Sequence, residues 1–170
     1  METQVQARTL LPTIRASMAS IGVELPSPVR VRMVDPESVD VGRPDGDVLL
    51  GLTDQWVGAD SRVTVTGIRI LKGLPPVHFG RAVAHEIGHA WLAQHGSKAA
   101  TAAIEEGVCE LFAYAWLKGQ PTRIAEWLRK DVRSNPNPTY GGGFRAVYGA
   151  TRVANVNTVL SCILRDGRLP

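Results

Sequence analysis

The sequence predicts an α+β domain made of an N-terminal helix, a small, mostly antiparallel sheet and a helical second half. Three observations carry that reading. Apolar residues near the N-terminus recur at helical spacing, alternating runs fill the stretch from about residue 29 to 71, and helical spacing returns after Pro75-Pro76 and persists. At 170 residues the chain suits a single domain, about 1–75 forming the helix-and-sheet part and about 76–170 the helical part.

Taken in order, Leu10, Leu11, Ile14, Met18 and Ile21 mark one face of an amphipathic helix from Thr3 to about Ile21, with Pro12 inside it. Val29, Val31 and Met33 alternate with Arg30 and Arg32 as a half-buried strand does. Asp47–Leu52 and Arg62–Leu71 read as further strands between Gly, Pro and Asp turns. Arg62–Leu71 is the expected edge strand, suited to hold an extended peptide by strand addition. A helix is expected from Val77 to Gln94, opened by proline and closed at Gly96. Others follow from about Thr101 to Lys118, Pro121 to Arg133 and Thr151 to Arg165, and the run 135–143, rich in Asn, Pro and Gly, reads as a loop. Trp91, Trp116 and Trp127 read as packing residues.

Composition narrows the function. Hydrophobic residues make up 44% and charged residues 21%, and the net charge of +3 comes from 19 basic and 16 acidic residues. The one local basic group, Arg123, Arg129, Lys130 and Arg133, reads as a solvated helix face, so no nucleic-acid partner is expected. Met1 to Leu11 lacks the pattern of a signal peptide, and no run approaches the roughly 18 apolar residues of a membrane span. A cytoplasmic protein without a membrane partner is the expectation. Cys109 and Cys162 read as reduced core residues.

Chemistry enters at His85-Glu86-Ile87-Gly88-His89, an H-E-x-x-H pattern. On a helix its two histidines stand roughly 40° apart on one face and can grip one metal ion. Imidazole suits Zn²⁺, which in catalytic sites usually takes three protein ligands and leaves one position to water. Glu86 would take the proton of that water as it attacks a carbonyl and pass it to the departing amine, which is peptide-bond hydrolysis. The flanks Ala82-Val83-Ala84 and Ala90-Trp91-Leu92 make the helix apolar around the triplet, where imidazoles without partners would be costly.

Two candidates stand for the third ligand. His95 has the metzincin spacing, but Leu92 replaces the glycine that lets the chain turn back, so His95 reads as a helix-end residue. Glu105-Glu106-Gly107 lies on the returning helix, where gluzincins take their third ligand from a glutamate. Glu106 is favoured and Glu105 is the alternative, because the two point about 100° apart and only one can face the metal. Glu110, one turn beyond Glu106, is placed to accept the free N–H of a ligating histidine. His78 reads as a surface histidine.

These residues resemble the C-terminal peptidase domain of the plant LIM-domain, ubiquitin-activated metallopeptidases that limit organ growth. The similarity runs from about Val63 to the end. It includes Ile68 to Pro75, Ala84-His85-Glu86 through Leu92, Glu105 to Cys109, Trp116-Leu117, Tyr140-Gly141-Gly142-Gly143-Phe144-Arg145 and Asp166 to Pro170. Glu110 departs from the glutamine of that family. The resemblance implies a zincin-like fold of the minimal gluzincin type, one zinc ion per chain, endopeptidase activity on a peptide or protein substrate, and the metal and base roles of His85, Glu86, His89 and the Glu105-Glu106 pair. It also implies an oxyanion-stabilising role for Tyr140, ahead of Tyr148 and Arg145. Ubiquitin-like regulation is raised by the resemblance alone. The competing expectation is a catalytically silent or latent zinc-containing module that captures peptides.

Overall fold

A computed structural model describes residues 3–38, 49–59 and 63–170. It begins with α1 (Gln4–Ser20), which Thr3 opens with a reciprocal cap: its hydroxyl accepts from the Gln6 amide, and the Gln6 side chain accepts from the Thr3 amide. Ala7, Leu11, Ile14 and Met18 form the buried stripe of this helix, and Pro12 is accommodated within it.

Three strands follow: β1 (Val31–Val34), β2 (Gly51–Val57) and β3 (Val63–Leu71). They form one sheet in the order β1-β3-β2, with β1 parallel and β2 antiparallel to β3. The sheet is therefore mixed, where a mostly antiparallel one is expected from sequence, and β3 is its central strand, not an edge. Alternation marks a residue run as half-buried strand but carries no information on which neighbour it pairs with or in which direction. The strand expected at Asp47–Leu52 runs instead from Gly51 to Val57, and positions 47 and 48 lie outside the described residues.

Gln4 of α1 donates to the Val31 carbonyl at 3.2 Å and accepts from the Met33 amide at 2.9 Å, so a side chain covers the edge of β1. Just before β2, the Leu50 carbonyl accepts from the Leu71 amide of β3, and Gly51 stands opposite Ile70. This register spends the backbone groups of Leu50 and Leu52 on β3 and turns those of Gly51 and Thr53 to the outer edge.

The helical half begins with α2 (Pro76–Gln94), its proline at the first turn. It ends where Gly96 takes a left-handed φ of 65° and Ser97 donates back to the Leu92 carbonyl. Then come α3 (Ala102–Lys118), α4 (Arg123–Ser134), α5 (Gly143–Val153) and α6 (Val156–Asp166). Side-chain oxygens of Thr101, Thr122 and Asn155 cap the starts of α3, α4 and α6. Two sequence expectations are corrected here. The presumed loop at 135–143 contains a π-helical turn, Pro138–Gly142, that leads straight into α5. The presumed last helix from Thr151 is two helices, because Asn155 starts a new one by accepting from the Thr158 amide.

The core runs between sheet and helices, with Ile68, Ile70, Phe79, Val83, Val108, Leu117, Phe144 and Ile163 almost fully buried. Each such side chain contributes roughly 1.5–3 kcal/mol relative to exposure. Trp91 and Trp116 are buried as expected, but Trp127 is 61% exposed and is not a core residue. Cys109 and Cys162 are both free thiols. Among the described residues no helix is long and apolar enough to cross a membrane.

Candidate metal and catalytic site

Helices α2 and α3 approach closely because α2 spends two glycines on their contact. A Cβ at Gly88 would come within 2.8 Å of the Cys109 backbone, and one at Gly80 would strike the Trp116 ring. On the other side of α3, a Cβ at Gly107 would lie 2.5 Å from the Gly143 carbonyl oxygen. The glycine after Glu106 thus lets α5 sit against α3 and fixes the rotation of α3 about its axis. That rotation turns Glu105, Glu106 and Glu110 toward the two histidines of α2.

The resulting cluster is nearly symmetrical. His85 and His89 each present Nε2 to Oε2 of Glu106, at 3.1 and 3.5 Å. Their opposite nitrogens face other carboxylates of α3: Nδ1 of His85 lies 3.1 Å from Glu110, and Nδ1 of His89 lies 3.0 Å from Glu105. Arg81, one turn before His85, reaches Glu110 at 3.4 Å and Asp131 of α4 at 3.7 Å. Glu110 is 7% exposed, so it is no ordinary surface glutamate.

Oε2 of Glu106 decides what this arrangement can hold. It is buried and has no hydrogen-bond partner among the described residues, although both imidazole Nε2 atoms stand beside it. A buried carboxylate oxygen without a partner is costly. Two imidazole nitrogens and a carboxylate oxygen gathered at one point are a usual donor set for zinc, so the residues fit that ion. Cys109 lies below them: its sulfur and donor atoms of His85 and His89 all fall within 4.8 Å of one another, a second group that could take part in holding a metal.

Electrostatics describe the same need for positive charge. Burial alone lowers the His85 pKa, but the Glu106 and Glu110 carboxylates beside it outweigh burial and hold it well above the usual imidazole value. His89 is likewise raised, against burial, by Cys109, Glu105 and Glu106. Burial raises Glu106, yet the two histidines bring its carboxyl down to about 2. Glu110, also penalised by burial, is lowered by His85 and Arg81. Burial pushes the Cys109 thiol up, so it stays protonated more readily than an exposed cysteine. The carboxylates that favour positive charge on the imidazoles would equally favour a dication held between them.

Glu86, 5% exposed, points into the same cleft. The Thr53 hydroxyl of β2 lies 2.7 Å from Oε2 of Glu86 and 3.0 Å from its backbone oxygen, with geometry to donate to either. Across the cleft the π-helical turn carries Tyr140, its ring 6.4 Å from that of His85. Asn137 shapes this turn by accepting from the Thr139 and Tyr140 amides. The cleft, of about 550 Å³, runs from Leu49–Thr53 and Gln55 of the β2 side to Asp131, Asn135 and Pro136.

The site therefore gathers His85, Glu86, His89, Glu105, Glu106, Glu110 and Tyr140 along one cleft. Glu105, the alternative third ligand by sequence, stands on the far nitrogen of His89 instead of beside Glu106. His95 stacks on Trp91 and bonds its carbonyl through Nδ1 at 2.8 Å. Tyr148 packs against Phe144 and Tyr114, while Arg145 donates to the Arg133 and Asn135 carbonyls, so neither lines the cleft. His78, expected at the surface, is half-buried, with Nδ1 unpartnered among the described residues. Sequence reasoning missed Thr53, Arg81 and Cys109. Arg81 was the one within reach, since it precedes His85 by one helical turn.

The model of the DA1-like family, described as Protein DA1, matches residues 22–123, more than half of the chain. The chain belongs to the DA1-like family. Protein DA1 of Arabidopsis thaliana is 28% identical over 153 residues, covering 69% of this chain and 29% of that protein. Protein DA1-related 2 of Arabidopsis thaliana is 25% identical over 156 residues, covering 72% and 30%. The LIM domain-containing protein HDR3 of Oryza sativa subsp. japonica is 27% identical over 158 residues, covering 72% and 32%. The chain thus spans about three tenths of the length of these DA1-like relatives. No solved structure matches. The DA1-like match begins well before Val63 and takes in the whole sheet, α2 and α3, while Tyr140 lies beyond it.

Proposed function

We propose that this chain is a zinc-dependent endopeptidase, a zincin-like domain of the minimal gluzincin type, with one zinc ion held by His85, His89 and Glu106. The observation that carries this reading is the buried, unpartnered Glu106 oxygen standing beside both imidazole Nε2 atoms, with Glu86 in the same cleft. Glu106 is preferred to Cys109 because its Oε2 stands beside the Nε2 atoms of both histidines, at 3.1 and 3.5 Å, and carries the charge a dication attracts, whereas burial pushes the Cys109 thiol up.

Zinc at this position supplies Lewis acidity that activates a water molecule and polarises a peptide carbonyl. The residues do the rest. Glu105 and Glu110 hold the histidine rings through Nδ1 and fix the nitrogen each presents. Glu86 accepts the proton of the attacking water and returns it to the amine of the broken bond. Tyr140, across the cleft from His85, is assigned the hydrogen bond to the developing oxyanion. An extended peptide pairs with the outer edge of β2, because Gly51, Thr53 and Gln55 of that strand line the cleft beside the two histidines. Recognition through backbone suits a protease acting on unfolded segments.

The test is cleavage of an unstructured protein such as casein by the purified, zinc-loaded chain beside its Glu86→Gln variant. The variant should keep its zinc and lose at least about 10²-fold in rate, the usual size of a general-base contribution. Equal cleavage by both would remove Glu86 from the mechanism. Zinc and peptide capture without cleavage in the unaltered chain would favour the silent or latent binding module.

A further inference from the structure

Among the described residues, Glu86 is the charged group of the cleft that the sheet grips. The Thr53 hydroxyl reaches both its Oε2 and its backbone oxygen, and two residues earlier on the same strand a Cβ at Gly51 would lie 2.9 Å from the Glu86 Cγ. Strand β2 therefore runs against the stem of Glu86 at Gly51 and holds its carboxylate at Thr53. These are also the two residues whose backbone groups turn to the outer edge of the sheet.

We propose that Thr53 is a positioning residue that fixes the Glu86 carboxylate and ties it to the strand on which a peptide substrate docks. This rests on the endopeptidase reading and deepens it. A hydroxyl has one proton to give. Given to Oε2, it leaves Oε1 as the free basic oxygen and stops the carboxylate turning about its last bond. A peptide pairing with Gly51 and Thr53 then stiffens the strand that carries this hydroxyl, so docking and alignment of the base are one event. Such alignment acts on the chemical step and hardly on substrate affinity.

The experiment compares Thr53→Val, which keeps shape and loses the donor, with Thr53→Ser, which keeps the donor. Zinc content and thermal midpoint are measured on each, then kcat and KM on casein-derived peptides. Binding of an acetyl-dipeptide hydroxamate is measured by calorimetry on the same samples. That probe chelates zinc and shares its own acidic proton with a nearby carboxylate, so it reports on Glu86 without turnover. With zinc unchanged, Thr53→Val should lose at least tenfold in kcat with KM within about twofold, and at least tenfold in hydroxamate affinity, while Thr53→Ser stays within about threefold. Thr53→Val within twofold of the unaltered chain on both readouts would overturn the assignment. So would Thr53→Ser failing as badly as Thr53→Val, since that outcome assigns the effect to methyl packing. If the unaltered chain binds zinc and hydroxamate but cleaves nothing, the endopeptidase reading fails and Thr53 is still judged on affinity. If it takes up no zinc, both fall.

Discussion

His85 and His89 are each held from behind by a carboxylate, Glu110 for the first and Glu105 for the second, while both turn Nε2 toward Glu106. A carboxylate on the far nitrogen fixes the tautomer and makes the ring a better donor. Glu105→Ala and Glu110→Ala should therefore each weaken zinc binding by about 10–100-fold without abolishing it, as read by competition with a coloured chelator. Unchanged affinity in either would assign that glutamate to the surface. Cys109→Ala should keep about one zinc per chain, which distinguishes the buried thiol from Glu106. The histidine pair and the Glu106–Glu110 spacing are legible in sequence because helix periodicity alone sets which residues share a face. The role of Glu105 is not. It depends on how α3 is rotated against α2, which is settled by backbone contact at Gly88, Gly107 and Gly143. Thr53 arrives from a different element altogether, and its own neighbours in the chain hold no trace of Glu86.

Among the elements, the π-helical turn and α5 explain two of the three glycines that composition alone reads as a loop, Gly141 and Gly143. A Cβ at Gly141 would lie 1.9 Å from the Asn135 carbonyl oxygen, and one at Gly143 would lie 2.0 Å from that of Ala103. These glycines are demanded by close packing, so the segment is tight where it reads as slack. Gly143→Ala should accordingly destabilise the fold by roughly 1–3 kcal/mol or more, the range of overpacked sites, and should lower zinc affinity by shifting Glu106. Urea denaturation checks the first and chelator competition the second; an unchanged midpoint would show that α3 and α5 can separate at no cost. The sheet illustrates a different limit. Its strands are visible in alternation, but β3 lies between the other two and pairs parallel with β1 and antiparallel with β2, an order no local pattern encodes.

For the whole molecule, the site joins parts that are far apart in the chain: β2 through Thr53, α2 through Arg81 and the two histidines, α3 through the glutamates and α4 through Asp131, which faces Arg81. An ion bound only by the folded state stabilises all of them together. Removing it with a chelator should lower the thermal midpoint by several degrees, and zinc alone should restore it. A midpoint indifferent to the chelator would mean that the cluster is content with its own protons. The α+β division, the helices carrying the site and the pentapeptide were readable in advance because each is a local periodic signal. How the elements pack against one another was not. The central claim is that His85, His89 and Glu106 hold a zinc ion, and elemental analysis of the purified chain beside its Glu106→Gln variant tests it most directly. The account predicts about one zinc per chain, lost or nearly lost in the folded variant. A folded chain that takes up no zinc on reconstitution, or a variant that retains it in full, would contradict it.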